Sequence, residues 1–339
     1  MFQMQETRKS EPPVLAIDLG GTKILAALIS SQGKVMARKY LPALADRGQE
    51  AVVNRIFSAI DHLLSQGNID SSHLDSISIA AAGAIDPGKG LVVFSPHLPG
   101  WYDVPLRDIV KKKYGVNTLL INDANAAALG EHHFGAGRGV DNLALLTVGT
   151  GIGGGIIING RLYSGANGSA GEIGHMTIDV NGPRCECGNN GCLEMLASGT
   201  AIAREAVKRI RQGEGSSLIE MVEGKIENIT AEKVSMAAKD GDVLASEIIM
   251  TAATYLGVGI ANLVNIFNPE MIIIGGGVAK MGDLLLNPAR RVIKERAFQL
   301  PAQTVQIVTA QLGNDAGLVG AAVFAFQQEV GLGGQNEGS

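Results

Sequence analysis

The chain has 339 residues, of which 28 are Lys or Arg, 33 are Asp or Glu and 46% are hydrophobic, with a formal net charge of -5. This composition excludes an intrinsically disordered chain, and the mild acidity argues against a nucleic-acid or membrane-surface partner, which favours clustered Lys and Arg. Glycine accounts for 45 residues, roughly twice the usual ~7% share, without the period of collagen. A chain of this length is expected to form two domains that share a cleft.

Strand-like and helix-like segments alternate from Val14 onward, which predicts an α/β fold. Two strands, over 14–20 and 23–30, are joined by Gly20, Gly21 and Thr22, and a third strand follows the turn at 31–33. The remaining predicted elements of the first half are a helix over 49–65, strands over 76–83 and 118–123, and an Ala-rich helix after Asp123.

The second half of the chain repeats this pattern. Strands over 143–151 and 155–160 form a predicted hairpin pair, and Asn159-Gly160 is a strong turn signal. The elements predicted after them are helices over 200–212, 230–239 and 242–266, a strand over 271–277, a helix over 283–298, a strand over 305–310 and a last helix over 316–328. Two halves that each open on a glycine-rich hairpin predict a duplicated architecture. The residues after 330 are predicted to be disordered.

Targeting signals and cysteine usage indicate the compartment. The sequence has no run of about 18 uninterrupted apolar residues, and residues 1–13 have no apolar signal-peptide core. The three cysteines, Cys185, Cys187 and Cys192, lie within eight residues of one another, and an odd number does not fit a set of secreted disulfides. These features predict a soluble protein of the reducing cytoplasm.

Two glycine-rich hairpin turns are suited to an anionic phosphate chain. The sequence has no P-loop motif, and the glycine-rich stretch at 149–154 is followed by a strand, so it is not a dinucleotide loop. The backbone N–H groups and Thr hydroxyls of both turns can bind phosphate oxygens. The residues concerned are Gly20, Gly21, Thr22 and Lys23 in the first turn, and Thr150 and Gly151 in the second.

Two further features belong with these turns. Asp18, at the end of the first strand, could hold a Mg²⁺ ion, through water. A third glycine turn, Gly275-Gly276-Gly277, follows a buried strand, where bare backbone would let an adenosine lie close. Lys23 either faces the nucleotide or merely begins the second strand, and the sequence leaves both interpretations open.

A metal site is predicted in one Gly- and Asn-rich loop. His175, Cys185, Cys187 and Cys192 form the pattern H-x9-C-x-C-x4-C. Four soft or borderline ligands in so short a span fit tetrahedral Zn²⁺, and four protein ligands leave no open position. The sequence therefore predicts a structural zinc site rather than a hydrolytic one.

Polar side chains near this loop favour a polyhydroxylated ligand. Asn122 and Asp123 close an apolar strand and start a helix, a common place for a catalytic carboxylate, although helix capping alone also explains an Asp there. Glu172 and Glu194 are tethered to the metal loop. The second ring nitrogen of a metal-bound His175 must donate to a carbonyl, a carboxylate or a sugar hydroxyl.

These motifs resemble the ROK family of bacterial sugar kinases and sugar-responsive repressors. The matching segments are DLGGTK at 18–23, NDANAAALGE at 122–131, a glycine-rich signature that runs through 148–175, GEIGH at 171–175 and CxCGxxGCLE at 185–194. They occur in the family's order and span about 14–328. The resemblance implies the two-domain actin, hexokinase and Hsp70-like ATPase fold. It implies a small domain over 12–122 completed by a helix over 316–330, a large domain over 123–315 with the zinc loop, and a tail over 331–339.

The resemblance also implies an activity, which is phosphoryl transfer from ATP with Mg²⁺ to the primary hydroxyl of a hexose. By position, Asp123 corresponds to the catalytic base, which also contacts the sugar. Asn122, Glu172, His175 and Glu194 correspond to residues that bind sugar hydroxyls. The nucleotide contacts correspond to Asp18, Gly20, Gly21, Thr22, Thr150, Gly151, Gly275, Gly276 and Gly277.

The acceptor sugar is inferred from a separate part of the sequence. Gly83 and the stretch at 95–101 resemble the family's glucose kinases, in which an Asn that helps to hold the sugar stands where this chain has His97, so Gly83 and His97 are expected to bind the substrate. Glucose is the first expectation, and mannose, fructose, N-acetylmannosamine and N-acetylglucosamine remain alternatives. Repressors of the family carry a helix-turn-helix domain before the sugar-binding part, and the 13 residues before Val14 are too few for one, so a sensor is the less favoured function. Family members are commonly homodimers or homotetramers.

Overall fold

The structure, a computed structural model, describes residues 12–333. The described chain forms two units, one of residues 12–130 and 315–333 and one of residues 131–314. The sequence placed the boundary after residue 122, so the first unit extends further along the helix that begins at Asp123 than expected. Of the tail predicted over 331–339, residues 331–333 continue the last helix, and residues 334–339 lie outside the described residues.

The first unit is built on a five-stranded sheet. The strands of this unit are, in chain order, β1 (Val14–Leu19), β2 (Lys23–Ile29), β3 (Val35–Pro42), β4 (Ile77–Ala81), β5 (Ala84–Asp86), β6 (Leu91–Phe94), β7 (Tyr102–Val104) and β8 (Thr118–Asn122). The main sheet has the order β3-β2-β1-β4-β8, with an antiparallel meander of β1, β2 and β3 and parallel pairing of β1, β4 and β8. The short strands β5, β6 and β7 form a separate antiparallel sheet.

Helices cover the main sheet of this unit because their apolar residues recur at helical spacing. The helices are α1 (Gln49–Gly67), α2 (Leu106–Tyr114) and α3 (Asp123–Phe134). In α1, Val52, Ile56, Ile60 and Leu63 are fully buried and form one apolar stripe. The helix packs against β2 and β3. The central strand β1 is buried on both faces, so the residue that follows its apolar run, Asp18, is brought to the edge of a rigid core.

The second unit repeats the sheet of the first. Its strands are β9 (Leu143–Val148), β10 (Ile152–Ile158), β11 (Arg161–Leu162), β12 (Met271–Gly275) and β13 (Gln306–Thr309). The order is β11-β10-β9-β12-β13, again with an antiparallel meander and two parallel pairings. The predicted duplication of a hairpin-led α/β half is therefore confirmed at the level of strand order and direction.

Helices of the second unit surround one apolar core. They are α4 (Leu193–Ala197), α5 (Gly199–Arg211), α6 (Leu218–Met221), α7 (Ala231–Lys239), α8 (Val243–Phe267), α9 (Asp283–Arg296) and α10 (Gln299–Thr304). The last helix, α11 (Ala316–Gly333), returns to the first unit and packs against β1 and β4. Within the described residues, α8 is the one helix long and apolar enough to span a membrane, and 56% of its apolar window is buried in the fold, as in the core helix of a globular protein.

Candidate active site

The turn between β1 and β2 lies against the segment that contains His97. The N–H of Gly20 donates to the carbonyl of Lys23 at 3.0 Å, which closes the turn. A side chain at Gly21 would overlap the carbonyl oxygen and Cβ of His97, so only glycine permits this approach. Thr22 and His97 are exposed. The predicted phosphate-binding turn and the predicted sugar-binding histidine are therefore neighbours.

Asp18 occupies an electrostatically strained position at the end of β1. Its pKa is raised to about 7, mainly by burial and also by the negative charge of Asp123, while the positive charge of Lys23 opposes the shift. Lys23 thus begins β2 and also places its charge near Asp18. A divalent cation beside this carboxyl would favour its charged form. The site chemistry fits the predicted Mg²⁺ contact.

The junction of β8 and α3 fixes Asn122 and Asp123. The side chain of Asn122 donates from Nδ2 to the carbonyl of Gly83 at 3.0 Å, and its Oδ1 accepts the N–H groups of Ala124 (2.9 Å) and Asn125 (3.0 Å). Asn122 therefore caps α3 and ties it to Gly83, with one side-chain N–H left for a ligand. Asp123 is half-buried and accepts the Ala124 N–H at 2.8 Å.

The turn between β9 and β10 opens on a large pocket. Gly149 and Thr150 lie on one side of this pocket, which has a volume of about 750 Å³. Its other walls come from α5, α7 and the segment after β12, contributed by Gly199, Thr200, Ala203, Ile229, Thr230, Ala231, Glu232, Ser235, Met236, Lys239, Gly277, Val278, Lys280 and Met281. Such a volume, with glycine turns on two sides, is suited to a nucleotide.

The three glycines after β12 have different environments. Gly275 is the last residue of β12. Gly276 has a φ of 85°, and a side chain there would overlap the carbonyl oxygen of Val148, so the fold itself requires glycine. Gly277 has open space around its Cα and lines the pocket. Of the three, Gly277 is the one in a position to meet a ligand in this pocket.

Four metal-ligand side chains meet in the loop before α4. The ligand atoms of His175, Cys185, Cys187 and Cys192 all lie within 4.8 Å of one another. Sγ of Cys187 lies 3.7 Å from Sγ of Cys192, and Sγ of Cys185 lies 3.7 Å from Nδ1 of His175. A tetrahedral metal with ligands at about 2.3 Å has its ligands about 3.7 Å apart. The residues therefore fit a closed zinc site.

The local backbone explains how this cluster forms. The Cys185 N–H donates to the Asn189 carbonyl at 2.8 Å, and the Gly188 N–H donates to the Cys185 carbonyl at 3.0 Å, which makes a tight turn around the first two thiols. Cys192 pairs with Thr177 in an isolated antiparallel bridge, so it lies beside the segment that follows His175. The pKa of the Cys192 thiol is raised to about 12, mainly by burial and also by the two neighbouring thiols.

The histidine of the cluster faces two ways. Its Nδ1 points to the thiols, whereas its Nε2 lies 4.0 Å from Oε2 of Glu172. Desolvation raises the pKa of Glu172, His175 opposes the shift and the charge of Glu194 adds to it, so the three side chains form one group. Oε2 of Glu194 accepts the backbone N–H of Ile152 at 2.7 Å. A metal on Nδ1 would leave Nε2 as a donor directed at this group.

The candidate residues thus fall into two sets, one in each unit. The first unit holds Asp18, Gly20, Gly21, Thr22, Lys23, Gly83, His97, Asn122 and Asp123, and the second holds Thr150, Gly151, Glu172, His175, the three cysteines, Glu194 and Gly275 to Gly277. Sequence reasoning missed the pocket walls from α5 and α7. Two capping residues were the signals for helices that begin at the pocket: Ser198 accepts the Ala201 N–H of α5 at 3.1 Å, and Thr230 accepts the Lys233 N–H of α7 at 3.3 Å.

Comparison with known proteins identifies the family. The sequence model of the ROK family matches residues 14–328. The glucokinase of Thermotoga maritima is 39% identical over 312 residues, which cover 91% of this chain and 96% of the relative. The xylose repressor of Caldicellulosiruptor bescii is 36% identical and covers 95% of this chain, which in turn spans 80% of the repressor. The protein belongs to the ROK family.

A solved structure supports the same conclusion for the fold. The crystal structure of a ROK family glucokinase from Streptomyces griseus, in complex with glucose and AMPPNP, matches this structure with a TM-score of 0.80 and 36% identity. The match covers 93% of this chain and 99% of that one. The predicted two-domain actin and hexokinase-like fold is therefore confirmed.

Proposed function

We propose that this protein transfers the γ-phosphoryl group of ATP to the primary hydroxyl of glucose and so acts as a glucokinase. The observation that carries the proposal is the electrostatic coupling of Asp123, at the start of α3, to Asp18, at the end of β1. The β1–β2 glycine turn follows Asp18 directly. This arrangement brings a potential proton acceptor close to a potential phosphate-binding turn. The similarity to glucokinases from two organisms supports the same activity.

Asp123 serves as the base in this proposal. Its position at the first residue of α3, fixed by the cap from Asn122, holds the carboxylate in one place. The carboxylate accepts the proton of the sugar hydroxyl as the oxygen attacks the γ-phosphorus in line with the leaving group. Such reactions depend mainly on positioning and charge neutralisation, so a fixed carboxylate is worth more than a mobile one.

The pocket of the second unit is the proposed nucleotide site. Thr150 and Gly149 at the β9–β10 turn would bind phosphate oxygens through a hydroxyl and backbone N–H groups. The amino end of α5, at Gly199 and Thr200, adds the positive end of a 13-residue helix. Mg²⁺, when bound with ATP, supplies neutralisation of phosphate charge, and Asp18 would hold it through water.

Two groups of polar residues, each within one unit, are candidates for contact with the sugar hydroxyls. In the first unit these are His97 and the remaining side-chain N–H of Asn122, with the backbone of Gly83 beside them. In the second unit, Glu172, Glu194 and Nε2 of His175 form the group described above. Carboxylates and an imidazole donor together can accept from and donate to vicinal hydroxyls. A structural Zn²⁺ on His175 and the three cysteines would fix the direction of Nε2.

The proposal extends to the state of the protein in the cell. A homodimer or homotetramer in the cytoplasm follows from the family resemblance and from the three free thiols, which fit a reducing compartment. Size-exclusion chromatography with light scattering measures the oligomeric state. Stoichiometric zinc in protein purified without added metal supports the closed site.

Coupled release of ADP from MgATP tests the activity. The acceptors are glucose, mannose, fructose, N-acetylglucosamine and N-acetylmannosamine at matched concentrations. We expect the highest kcat/KM with glucose. Preference for another sugar would keep the chemistry and change the substrate, whereas no ADP release with any of the five would overturn the proposal.

The role of Asp123 has its own test. Asp123→Asn removes the proton acceptor and keeps the shape, so we expect kcat to fall by roughly 10²-fold or more with glucose affinity nearly unchanged. Asp46→Asn is the matched control, because Asp46 is exposed and lies outside both candidate sets. Wild-type turnover in Asp123→Asn would contradict the assignment.

A sugar-sensing regulator is the second candidate function, because the relatives include xylose repressors at up to 36% identity. Such a protein would bind glucose and DNA without turnover. A gel-shift assay with and without glucose, together with the ADP assay, separates the two. Turnover without DNA binding supports the kinase.

A further inference from the structure

One short segment of the second unit holds the β9–β10 turn at both ends. The segment is Cys192–Gly199, which contains α4. At the start of the turn, the carbonyl of Gly149 accepts the N–H of Gly199 at 2.7 Å. At its end, the N–H of Ile152 donates to Oε2 of Glu194 at 2.7 Å. The turn residues are therefore held between two hydrogen bonds from the same eight-residue segment.

Glu194 also fits tightly against the turn itself. A side chain at Gly151 would overlap the Glu194 carboxylate, so the carboxylate lies directly against the turn backbone. A hydrogen bond from a backbone N–H to a charged acceptor is about twice as strong as a neutral one. The Glu194 carboxylate therefore fixes the direction of the backbone at the point where the turn enters β10.

The other end of this segment belongs to the metal loop. Cys192 is one of the four clustered ligands, and its bridge to Thr177 continues with the Leu193 N–H, which donates to the Met176 carbonyl at 2.9 Å. The Leu193 side chain is fully buried and lies against α8 at Gly259. The segment is therefore anchored in the core and at the metal cluster, and it cannot shift without disturbing one of them.

The turn that it holds is part of the wall of the 750 Å³ pocket. Gly149 and Thr150 line the pocket from the turn, and Gly199 and Thr200 line it from the first residues of α5. The same segment therefore sets both the turn and the helix start that face any ligand there. Gly199, the first residue of α5, lies seven positions after the cluster residue Cys192.

We propose that Glu194 is a positioning residue for the nucleotide-binding turn, and that through the segment Cys192–Gly199 the integrity of the metal cluster sets nucleotide affinity. This inference rests on the proposed nucleotide site and goes beyond it by giving Glu194 a second role, separate from contact with the sugar. The role requires an acceptor atom at the Oε2 position, and the negative charge strengthens the hydrogen bond without being essential to it. An amide oxygen can fill the role.

Binding of Mg-AMPPNP in the absence of sugar, measured by isothermal titration calorimetry, tests the inference. Glu194→Ala removes the acceptor for Ile152 N–H, and we expect the Kd to rise about tenfold or more. Glu194→Gln keeps an acceptor, so its Kd is expected to stay within about threefold of the wild type. Zinc content should remain at the wild-type level in both, because Glu194 is not a ligand.

A sugar measurement separates the two roles of Glu194. Glucose affinity is expected to fall in Glu194→Ala and in Glu194→Gln, because the proposed sugar contact uses the negative charge. Nucleotide affinity is expected to stay near the wild-type value only in Glu194→Gln. A general loss of structure would not produce that split. Should Glu194→Ala fail to fold, Glu194→Asp withdraws the carboxylate by one methylene and is expected to weaken Mg-AMPPNP in the same direction.

A variant of the metal cluster provides a second test of the inference. Cys187 is the exposed ligand, so Cys187→Ser disturbs the core least, and we expect metal-depleted Cys187→Ser protein to bind Mg-AMPPNP more weakly than the wild type. Glu186→Gln, an exposed neighbour outside the cluster, is the matched control. Equal affinity in Glu194→Ala and the wild type, or in Cys187→Ser and the wild type, overturns the inference. A wild-type protein that binds no Mg-AMPPNP overturns the proposed nucleotide site as well.

Discussion

The carboxyl groups of Asp18, at the end of β1, and Asp123, at the start of α3, lie close enough for the charge of Asp123 to raise the pKa of Asp18. Burial is the larger cause of the shift, and Lys23 compensates in part. Two like charges held together in this way are unfavourable in the protein alone. They become favourable when a cation and a hydroxyl ligand arrive, as expected of a functional site.

This coupling predicts the pH dependence of stability. The folded-state pKa of Asp18, about 7, exceeds the unfolded value near 3.8, so the folded protein binds the extra proton and loses stability as pH rises between these values. Asp18→Asn should lack that loss and be more stable than the wild type above pH 7 by roughly 2–4 kcal/mol. Urea unfolding at several pH values measures it, with Asp46→Asn as control. A parallel pH dependence in Asp18→Asn and wild type would contradict the prediction.

The metal cluster predicts that stability depends on bound zinc. Cys187→Ser removes one of four ligands, so we expect loss of bound zinc and a fall in the free energy of unfolding by roughly 3 kcal/mol or more. Elemental analysis measures the bound zinc, and thermal unfolding measures the stability. Treatment of the wild type with a chelator should lower the stability in the same way. Glu186→Gln should keep both zinc and stability. Unchanged stability in zinc-free Cys187→Ser would show that the loop folds without metal.

Much of the architecture could be predicted from the sequence because long apolar patterns determine it. Strands such as β1 and β12 are continuous apolar runs that end in glycine turns, and α8 has 25 residues of helical pattern. The four metal-ligand residues lie within 18 positions, so local spacing alone brought them together. Short elements had no such signal. The strands β5 and β7 have three residues each, and α4 has five, too few for a period to show.

The pocket walls were missed for a different reason. Ser235 and Lys239 lie on α7, more than 80 residues after the β9–β10 turn, and neither belongs to a motif. Only the tertiary packing of α7 against α5 and α8 brings them to the pocket. The two hydrogen bonds from the segment Cys192–Gly199 to the β9–β10 turn could not be predicted from the sequence either, because Glu194 and Ile152 are 42 residues apart. Contacts of this kind depend on the assembled core.

The side chain at position 97 predicts a change in sugar preference. His97 is exposed and its backbone lies against Gly21, and a neutral imidazole offers one donor and one acceptor where an amide offers a carbonyl and two N–H groups. His97→Asn should change the ratio of kcat/KM for glucose over mannose by roughly threefold to tenfold, with KM for ATP unchanged. His73→Asn, exposed and distant in sequence, is the control. An unchanged ratio would count against a place for His97 in the sugar site.

Glu131 predicts the largest effect on stability outside the candidate site. Its side chain is fully buried, and it accepts the backbone N–H groups of Ala136 (2.8 Å), Gln311 (3.1 Å) and Leu312 (2.7 Å). Glu131 therefore links residue 136 to residues 311 and 312 through hydrogen bonds. These residues lie close in sequence to the unit boundaries at 130–131 and 314–315.

Glu131→Ala would remove the shared acceptor of three part-buried backbone N–H groups, so we expect a loss of roughly 3 kcal/mol. Glu131→Gln should cost less, because its one amide oxygen can still accept from one side of the cluster. Urea unfolding followed by circular dichroism measures both, against Glu220→Ala on the exposed surface of α6. If Glu131→Ala were as stable as Glu220→Ala, the three hydrogen bonds would have no net role in the fold, and the buried carboxylate would need another explanation.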